Sequence, residues 1–333
     1  MNKVLIFAVL GLCCLECTGR MPAEPPLGSL PFIVYFESRY RGLCVGSLVS
    51  RTAVLTAAVC VSDPKEARDT RPINVVCGTN YRHVRRGIRV QVTKVILPRL
   101  PNVTGDRGYL LQKSAALLLL KRKVPDALAE VPTRAIDIDF LGEDQLSLQD
   151  ECIMIGWHFF NHDDEIYPVQ KFLIRRKLRL QFLNLVTKQS YCDTLLLKFE
   201  NALEDLGYMG FFSKSDLRCF RDPDRAAQPC HGMYGAPLVC KSGRVVGMLL
   251  APDAQWKNCT GFSNLVHTLN TRFMANFFEC VKQFFEPEVR IDWRKIKHVG
   301  TYNEINEEEG VIRDMYDGVI TDFDNTSEED SGY

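Results

Sequence analysis

The chain has 333 residues, of which 46% are hydrophobic and 25% are charged. This composition is too apolar for a disordered protein, and the length predicts one large domain or two half-domains around a sizeable core. The 41 basic and 41 acidic residues balance, which argues against a generally basic nucleic-acid-binding protein.

The first nineteen residues have the pattern of a secretory signal peptide. Lys3 precedes an apolar run at 4–15 that is too short to cross a bilayer as a helix, and Gly19 suits the small-residue cleavage position. An uncleaved anchor is the alternative. Cleavage after Gly19 would leave ten of the 13 cysteines, an even number that suits disulfide formation in the secretory route. We therefore expect a secreted, extracellular protein without a later membrane span.

Short apolar or alternating runs follow a lead-in over residues 20–30, and turn residues separate them, as in an all-β sandwich or barrel. The predicted strands are 31–36, 46–58, 73–77, 88–96, 115–120, 152–157, 172–180, 237–240 and 245–250. In the stretch 270–285, Phe273, Phe277, Val281 and Phe284 recur at helical spacing, which predicts an amphipathic helix.

The chain changes character near its end. Residues 299–333 contain eleven acidic residues and one basic residue, a formal charge of −10, whereas residues 20–298 carry 39 basic and 29 acidic residues, a charge of +10. Low hydrophobicity with high net charge favours disorder. We therefore predict an acidic, disordered tail over residues 287–333, which could also bind the basic body electrostatically.

Three segments carry motifs in a fixed order and spacing. Residues 44–50 and 54–60 read CVGSLVS and VLTAAVC, residues 152–157 read CIMIGW, and residues 230–240 read CHGMYGAPLVC. Together they resemble CGGSLIS with VLTAAHC, CxVxGWG and CxGDSGGPLVC of the trypsin-like serine proteases, which have the chymotrypsin fold. The resemblance implies a domain over 31–286 with two antiparallel six-stranded β-barrels, about 31–140 and 141–265, and a C-terminal α-helix at 270–285.

The catalytic positions of these motifs hold unsuitable residues. Val59 stands where the family has its histidine, and valine cannot accept the proton that activates a serine hydroxyl. Ser114 replaces the aspartate and has no charge to stabilise an imidazolium. Tyr234 takes the nucleophile position, and a phenol with an ordinary pKa of about 10 stays protonated without a base. The resemblance therefore implies an inactive homologue, a pseudoprotease.

Positions around the triad depart from the family pattern as well. Met233 replaces the aspartate that pairs with the new amino terminus of an activated protease, and no activation site of the IVGG type precedes Pro31. Gln228 occupies the base of the specificity pocket in place of an acidic residue. Leu250 and Pro252 lie in the substrate-binding strand, where proline cannot donate a backbone hydrogen bond to a peptide.

The resemblance also implies four disulfides: Cys44–Cys60, Cys152–Cys240, Cys192–Cys219 and Cys230–Cys259. Cys77 and Cys280 remain, and they would join the first barrel to the C-terminal helix, unless they are two buried thiols or form an intermolecular bridge. Three sequons mark candidate glycosylation sites at Asn102, Asn258 and Asn325.

The expected role is binding. Noncatalytic relatives, common among insects, act as cofactors, adaptors or competitors in extracellular proteolytic cascades of immunity or reproduction, which makes active serine proteases and their substrates the expected partners. Two alternatives stay open: a glycan-binding or matrix protein that uses the basic stretches 82–89 and 171–179, or an enzyme with unusual chemistry in the same cleft. His158 and His162 lie in a turn, so no metal or other cofactor is expected.

Overall fold

The computed structural model describes the strands of the two predicted barrels and part of the region after them. The described residues are 23–38, 42–61, 72–82, 86–98, 114–125, 131–139, 151–157, 159–161, 177–186, 217–221, 227–229, 233–250, 264–268, 272–292 and 296. They confirm the predicted fold class, because twelve strands form two closed six-stranded antiparallel barrels and a short helix follows them.

Six strands close the first barrel in the order β1-β2-β3-β6-β5-β4. They are β1 Ile33–Ser38, β2 Gly42–Ser50, β3 Ala53–Ala57, β4 Asn74–Cys77, β5 Ile88–Ile96 and β6 Ala115–Leu120. The limits predicted for β5 and β6 are confirmed. The single strand predicted at 46–58 is wrong, since Arg51 and Thr52 form a hairpin turn between β2 and β3. Apolar residues flank that turn on both sides, so the sequence resembles one uninterrupted strand.

The second barrel closes in the order β10-β14-β13-β12-β7-β9. Its strands are β7 Glu151–Gly156, β9 Arg179–Val186, β10 Leu217–Arg221, β12 Pro237–Val239, β13 Val245–Leu249 and β14 Asn264–Thr268. Two further strands, β8 Phe159–Asn161 and β11 Ala227–Pro229, pair with each other. The strand predicted at 172–180 is displaced, because β9 begins at Arg179, and residues 172–176 lie outside the described part.

One continuous apolar core joins the barrels to the C-terminal helix. Trp157 is fully buried, its ring meets that of Tyr35 edge-on at 5.0 Å, and its indole N–H donates to the carbonyl of Asn80 at 3.2 Å. The helix, α1 Arg272–Val281, ends in a 3₁₀ turn, Lys282–Phe284. Its buried face repeats at intervals of three and four residues, through Met274, Phe277, Phe278 and Val281. No helix in the described residues is long and apolar enough to cross a membrane.

The linker between the barrels, residues 131–139, bonds to both of them. The Ile136 N–H donates to the carbonyl of Leu48 in the first barrel at 2.8 Å. The Val245 N–H of the second barrel donates to the carbonyl of Asp137 at 3.0 Å. The linker is therefore part of the packed structure and fixes how the barrels meet.

The chain after α1 is fixed to the same linker and to the turn between β12 and β13. The Glu288 N–H donates to the carbonyl of Ala135, and the Ile291 N–H donates to the carbonyl of Gly243, both at 2.9 Å. Ile291 is buried, as is Ile296. The tail boundary predicted after residue 286 is therefore too early: residues 287–292 are ordered against the body, because backbone bonds and two isoleucines outweigh the acidic composition that follows. Residues 297–333 lie outside the described part.

A carboxylate reinforces this attachment. Glu288 accepts the Ala135 N–H at 2.9 Å and the Arg51 guanidinium at 2.8 Å. Burial opposes ionisation of Glu288, but these two bonds and the Arg51 and Arg134 charges outweigh it and lower the pKa of the carboxyl below its ordinary value. Glu288 thus joins the C-terminal extension to the β2–β3 hairpin.

We expect Glu288→Ala to lower the free energy of unfolding by about 1 kcal/mol at pH 7, because it removes two charge-assisted hydrogen bonds at a partly exposed site. The folded pKa lies below the unfolded one, so this contribution is complete above about pH 4.5 and declines as the pH falls through the folded value. Urea unfolding of both proteins at pH 7 and pH 3 measures it.

The matched control is Glu286→Ala, which removes an exposed carboxylate two residues away and should change stability by less than about 0.5 kcal/mol. Equal losses for the two variants at pH 7 would contradict the role of Glu288, as would a loss for Glu288→Ala that does not narrow at pH 3.

Candidate functional site

The three triad positions lie together where the barrels meet. Val59 is in a 3₁₀ turn, Ala58–Cys60, directly after β3. Ser114 precedes β6, and Tyr234 precedes β12. Val59 is 1% exposed, Ser114 is 0% exposed and Tyr234 is 5% exposed. Residues from three distant parts of the sequence therefore lie at one buried junction.

Backbone hydrogen bonds hold these positions. The Ala58 N–H donates to the carbonyl of Ser114 at 2.8 Å, which attaches the turn carrying Val59 to the start of β6. The Val45 N–H donates to the carbonyl of Tyr234, also at 2.8 Å, and this bond joins the second barrel to β2 of the first. None of these bonds uses the side chain at position 59, 114 or 234.

Two of the predicted disulfides are confirmed. The Cys44–Cys60 bridge fastens the turn that carries Val59 to β2. Its Cys60 sulfur lies 3.7 Å from the carbonyl oxygen of Tyr234. The Cys152–Cys240 bridge ties β7 to the residue after β12. The predicted bridges Cys192–Cys219 and Cys230–Cys259 involve side chains outside the described part of the chain.

Gly235 lies at a close approach between the two barrels. It has a φ of +80°, in the left-handed region that favours glycine, and a Cβ there would overlap Thr56 Oγ1 and the carbonyl oxygen of Val45. The hydroxyl of Thr56 donates to that same Val45 carbonyl at 2.7 Å. Gly235 in turn donates its N–H to the carbonyl of Leu249 at 2.8 Å. The motif CHGMYGAPLVC retains this glycine, whereas nothing in the sequence marks Thr56 as its contact.

Met233 fills the position of the family's pairing aspartate. It is 0% exposed, and its thioether packs so closely on Gly156 that a Cβ there would overlap Sδ and Cε. The Ala236 N–H donates to the carbonyl of Met233 at 2.9 Å, which closes the turn around Tyr234. An apolar contact therefore supports this turn.

The predicted specificity positions are described only in part. Leu250 is fully buried after β13. The backbone of Gln228 lies in β11, opposite Phe160 of β8, while its side chain is outside the described part. Pro252 lies outside it too, as do the sequons at Asn102, Asn258 and Asn325 and the histidines at 158 and 162. Among the described residues, no three of His, Cys, Asp and Glu lie close enough together to hold a metal ion.

The bridge predicted between Cys77 and Cys280 is wrong, because both residues are free thiols. Cys77 ends β4 inside the first barrel, where its sulfur lies 3.5 Å from the carbonyl oxygen of Ile88, whereas Cys280 is exposed on α1. One sulfur faces the core and the other faces solvent. Burial raises the pKa of the Cys77 thiol to about 12, so it stays protonated and unreactive near neutral pH.

The comparisons with known proteins agree with this geometry. A family model described as Trypsin matches residues 22–271. The chain belongs to the trypsin family. Granzyme M of Rattus norvegicus is similar to this trypsin-family chain, with 23% identity over 235 residues that cover 70% of the chain and 76% of granzyme M.

A comparison with solved structures gives a protein of similar fold. The crystal structure of a scabies mite inactivated protease paralogue is similar to this trypsin-family chain with a TM-score of 0.55 and 16% sequence identity, and the likeness covers 80% of this chain and 99% of that one. At this identity the similarity concerns the fold alone.

We expect Gly235→Ala to destabilise this trypsin-family protein by about 3 kcal/mol or more, because the new methyl group meets both left-handed backbone strain and atoms of the first barrel. Gly28→Ala is the matched control: Gly28 has the same φ of +80°, but a Cβ there would lie 3.7 Å from its nearest neighbours. The control should cost only about 1 to 2 kcal/mol. Thermal unfolding compares them, and a Gly28→Ala loss equal to or larger than the Gly235→Ala loss would contradict the close approach.

The thiols give a second prediction. Iodoacetamide at pH 8 should label Cys280 in the native protein and should leave Cys77 unlabelled until the chain is unfolded, because only Cys280 is exposed. Peptide mapping identifies each site, and Cys280→Ser should abolish native labelling in its peptide. A disulfide-linked peptide that contains both residues, or native labelling of Cys77 at the rate of Cys280, would contradict the structure.

Proposed function

We propose that this trypsin-family chain is a catalytically inactive, secreted serine protease homologue of the insect type. It acts as an extracellular binding protein or regulatory cofactor in a proteolytic cascade, of the kind that serves immunity or reproduction. One observation carries the proposal: the triad positions hold Val59, Ser114 and Tyr234. Its expected partners are active serine proteases or their protein substrates.

The chemistry of these side chains supports inactivity. A serine protease needs a nucleophile, a base that takes its proton and a carboxylate that orients the base. Val59 has no atom that accepts a proton, and Ser114 carries no charge. Tyr234 has a hydroxyl, but a phenol is a poor nucleophile while it remains protonated. Removing the triad of an active protease costs about 10⁶ in kcat.

Burial supports the proposal in a second way. Val59 and Tyr234 are nearly inaccessible, and Met233 beside them is packed against Gly156. A substrate carbonyl has to reach the nucleophile within about 3 to 3.5 Å, which a buried phenol does not allow without a change of conformation. The surface that remains can bind a partner, but the described side chains at positions 59, 114 and 234 offer it no accessible nucleophile or base.

The relatives and the disulfides fit the same role. The solved structure with the same fold belongs to a protein whose name describes it as inactivated. Granzyme M, by contrast, keeps an enzyme's name, so membership of the family does not decide the question. The two disulfides and the trypsin-family fold fit an extracellular protein, and the pattern at residues 1–19 supports secretion.

The first test separates inactivity from the rival proposal of an enzyme with unusual chemistry in the cleft. The purified protein should hydrolyse peptide and ester substrates no faster than Tyr234→Ala does, and a fluorophosphonate probe should label neither protein. Trypsin serves as the positive control. Turnover above background that disappears in Tyr234→Ala would overturn the proposal.

The second arm tests the regulatory role. The protein is added to an active trypsin-family protease from the extracellular fluid in which the protein itself occurs. It should change the rate at which that protease cleaves its protein substrate, and it should leave the rate with a short peptide substrate unchanged. An inhibitor of the active site would change both rates. If the protein changes neither rate for any of the extracellular proteases tested, the role as a cascade cofactor is contradicted. The proposed lack of catalytic activity is not affected by that result.

A further inference from the structure

Cationic side chains line the outer side of β5. Arg89 and Lys94 lie on this strand and are exposed, and Arg86 is exposed just before it. A strand rises about 3.3 Å per residue, so Arg89 and Lys94 are about 17 Å apart. Val90 between them is buried, and the register shift in the pairing of β5 with β6 between Val92 and Lys94 lets residues five positions apart share the outer side. This strand therefore presents charge outward over a length that suits an extended ligand.

A turn from elsewhere in the sequence adds three more charges at this place. The Lys121 N–H donates to the carbonyl of Gln91 at 2.8 Å, which fixes the turn after β6 beside the middle of β5. Lys121, Arg122 and Lys123 are all exposed, and Val124 after them is buried. We call the resulting surface the basic strip; it consists of Arg86, Arg89, Lys94, Lys121, Arg122 and Lys123.

The lysines and the arginine at the far end of the basic strip, Lys94 and the 121–123 turn, have few acidic neighbours, whereas Arg86 lies over the ring of Tyr81 at 4.8 Å. Within the described residues, no ion pair involves Lys94 or any residue of the 121–123 turn. Across the first barrel, β4 is the strand next to β5, and its described residues contain no acid. The next strand is β1, where Glu37 is the first acidic residue reached.

The second basic stretch of the sequence behaves differently. Lys177 and Arg179 both form ion pairs with Glu24 of the lead-in, at 3.0 and 2.9 Å. Part of the charge of that stretch is therefore neutralised within the protein. Residues 171–176 and 83–85 lie outside the described part of the chain.

The composition of the basic strip indicates the class of ligand. Its members are all arginine or lysine, and the other exposed residue of β5 is Thr93. Among the described residues, the one large hydrophobic side chain that is well exposed, Leu27, lies on the lead-in. Interfaces between folded proteins have an apolar or aromatic centre from which lysine is depleted. A linear, hydrophilic polyanion needs no such centre, since it binds through its charged groups alone.

We propose that the basic strip binds a linear sulfated polysaccharide, whose sulfate groups pair with the arginine and lysine side chains along β5 and the 121–123 turn. This inference does not depend on the proposed role in a proteolytic cascade, because the strip lies apart from the triad positions. The fold presents the cations on a strand and on a turn held by hydrogen bonds, so the surface is formed before the ligand arrives.

Heparin is the probe, and two full-length variants with equal charge loss test the surface. Lys121→Gln/Lys123→Gln removes two lysines of the basic strip, and Lys241→Gln/Lys282→Gln removes two exposed lysines of the second barrel and the C-terminal turn. The unchanged protein should elute from immobilised heparin above about 0.15 M salt. The strip variant should elute near or below that value, and the control variant should elute close to the unchanged protein.

Binding curves at several salt concentrations sharpen the test. Counterion release, as known for nucleic acids, makes log K decrease linearly with log salt. The magnitude of this slope should be smaller by about 2 in the strip variant than in the unchanged protein, and it should be the same in the control variant as in the unchanged protein. Equal shifts in both variants would mean that net charge alone attracts heparin and would overturn the proposal. Failure of the unchanged protein to bind above physiological salt, or equal retention on desulfated heparin, would overturn it as well.

Discussion

The contact on which the rest of the structure depends is the backbone junction at Gly235. The second barrel can approach the first because residue 235 has no side chain and adopts a left-handed conformation beside Thr56 and the Val45 carbonyl. The bond from Val45 to Tyr234 and the Cys44–Cys60 bridge are formed around that approach. These contacts use backbone atoms, a glycine, a threonine hydroxyl and a disulfide, so they form whichever side chains stand at the three triad positions.

Because the described contacts of the junction do not use these side chains, the fold tolerates apolar residues where active relatives have polar and charged ones. A buried charge has to be paired and hydrogen-bonded, and replacing a buried ion pair by well-packed apolar groups is often neutral or stabilising. Val59 and Met233 are buried with no hydrogen-bonding requirement of their side chains. Selection for catalysis is then the force that would keep a histidine or an aspartate at such positions, and where it is absent, packing favours residues like these.

The sequence predicted what is encoded locally or by a specific motif. The limits of β5 and β6 follow from runs bounded by turns, and the Cys44–Cys60 bridge follows from two adjacent motifs. It did not predict contacts between distant residues without a motif, such as Arg51 with Glu288, which are separated by 237 positions. The predicted bridge between Cys77 and Cys280 was wrong for a related reason. An even number of cysteines allows every cysteine to have a partner, but a bridge forms only where two side chains face each other.

The geometry of β6 relates the triad positions to the basic strip. Ser114 precedes this strand and Lys121 follows it, and the seven intervening steps at about 3.3 Å each place the two ends about 23 Å apart. A ligand along the outer side of β5 therefore leaves the junction around Tyr234 uncovered. A protein partner at the junction and a polyanion on the strip can consequently be bound at the same time, and a polysaccharide that holds both this protein and a protease would raise their local concentration without any contact between the two sites.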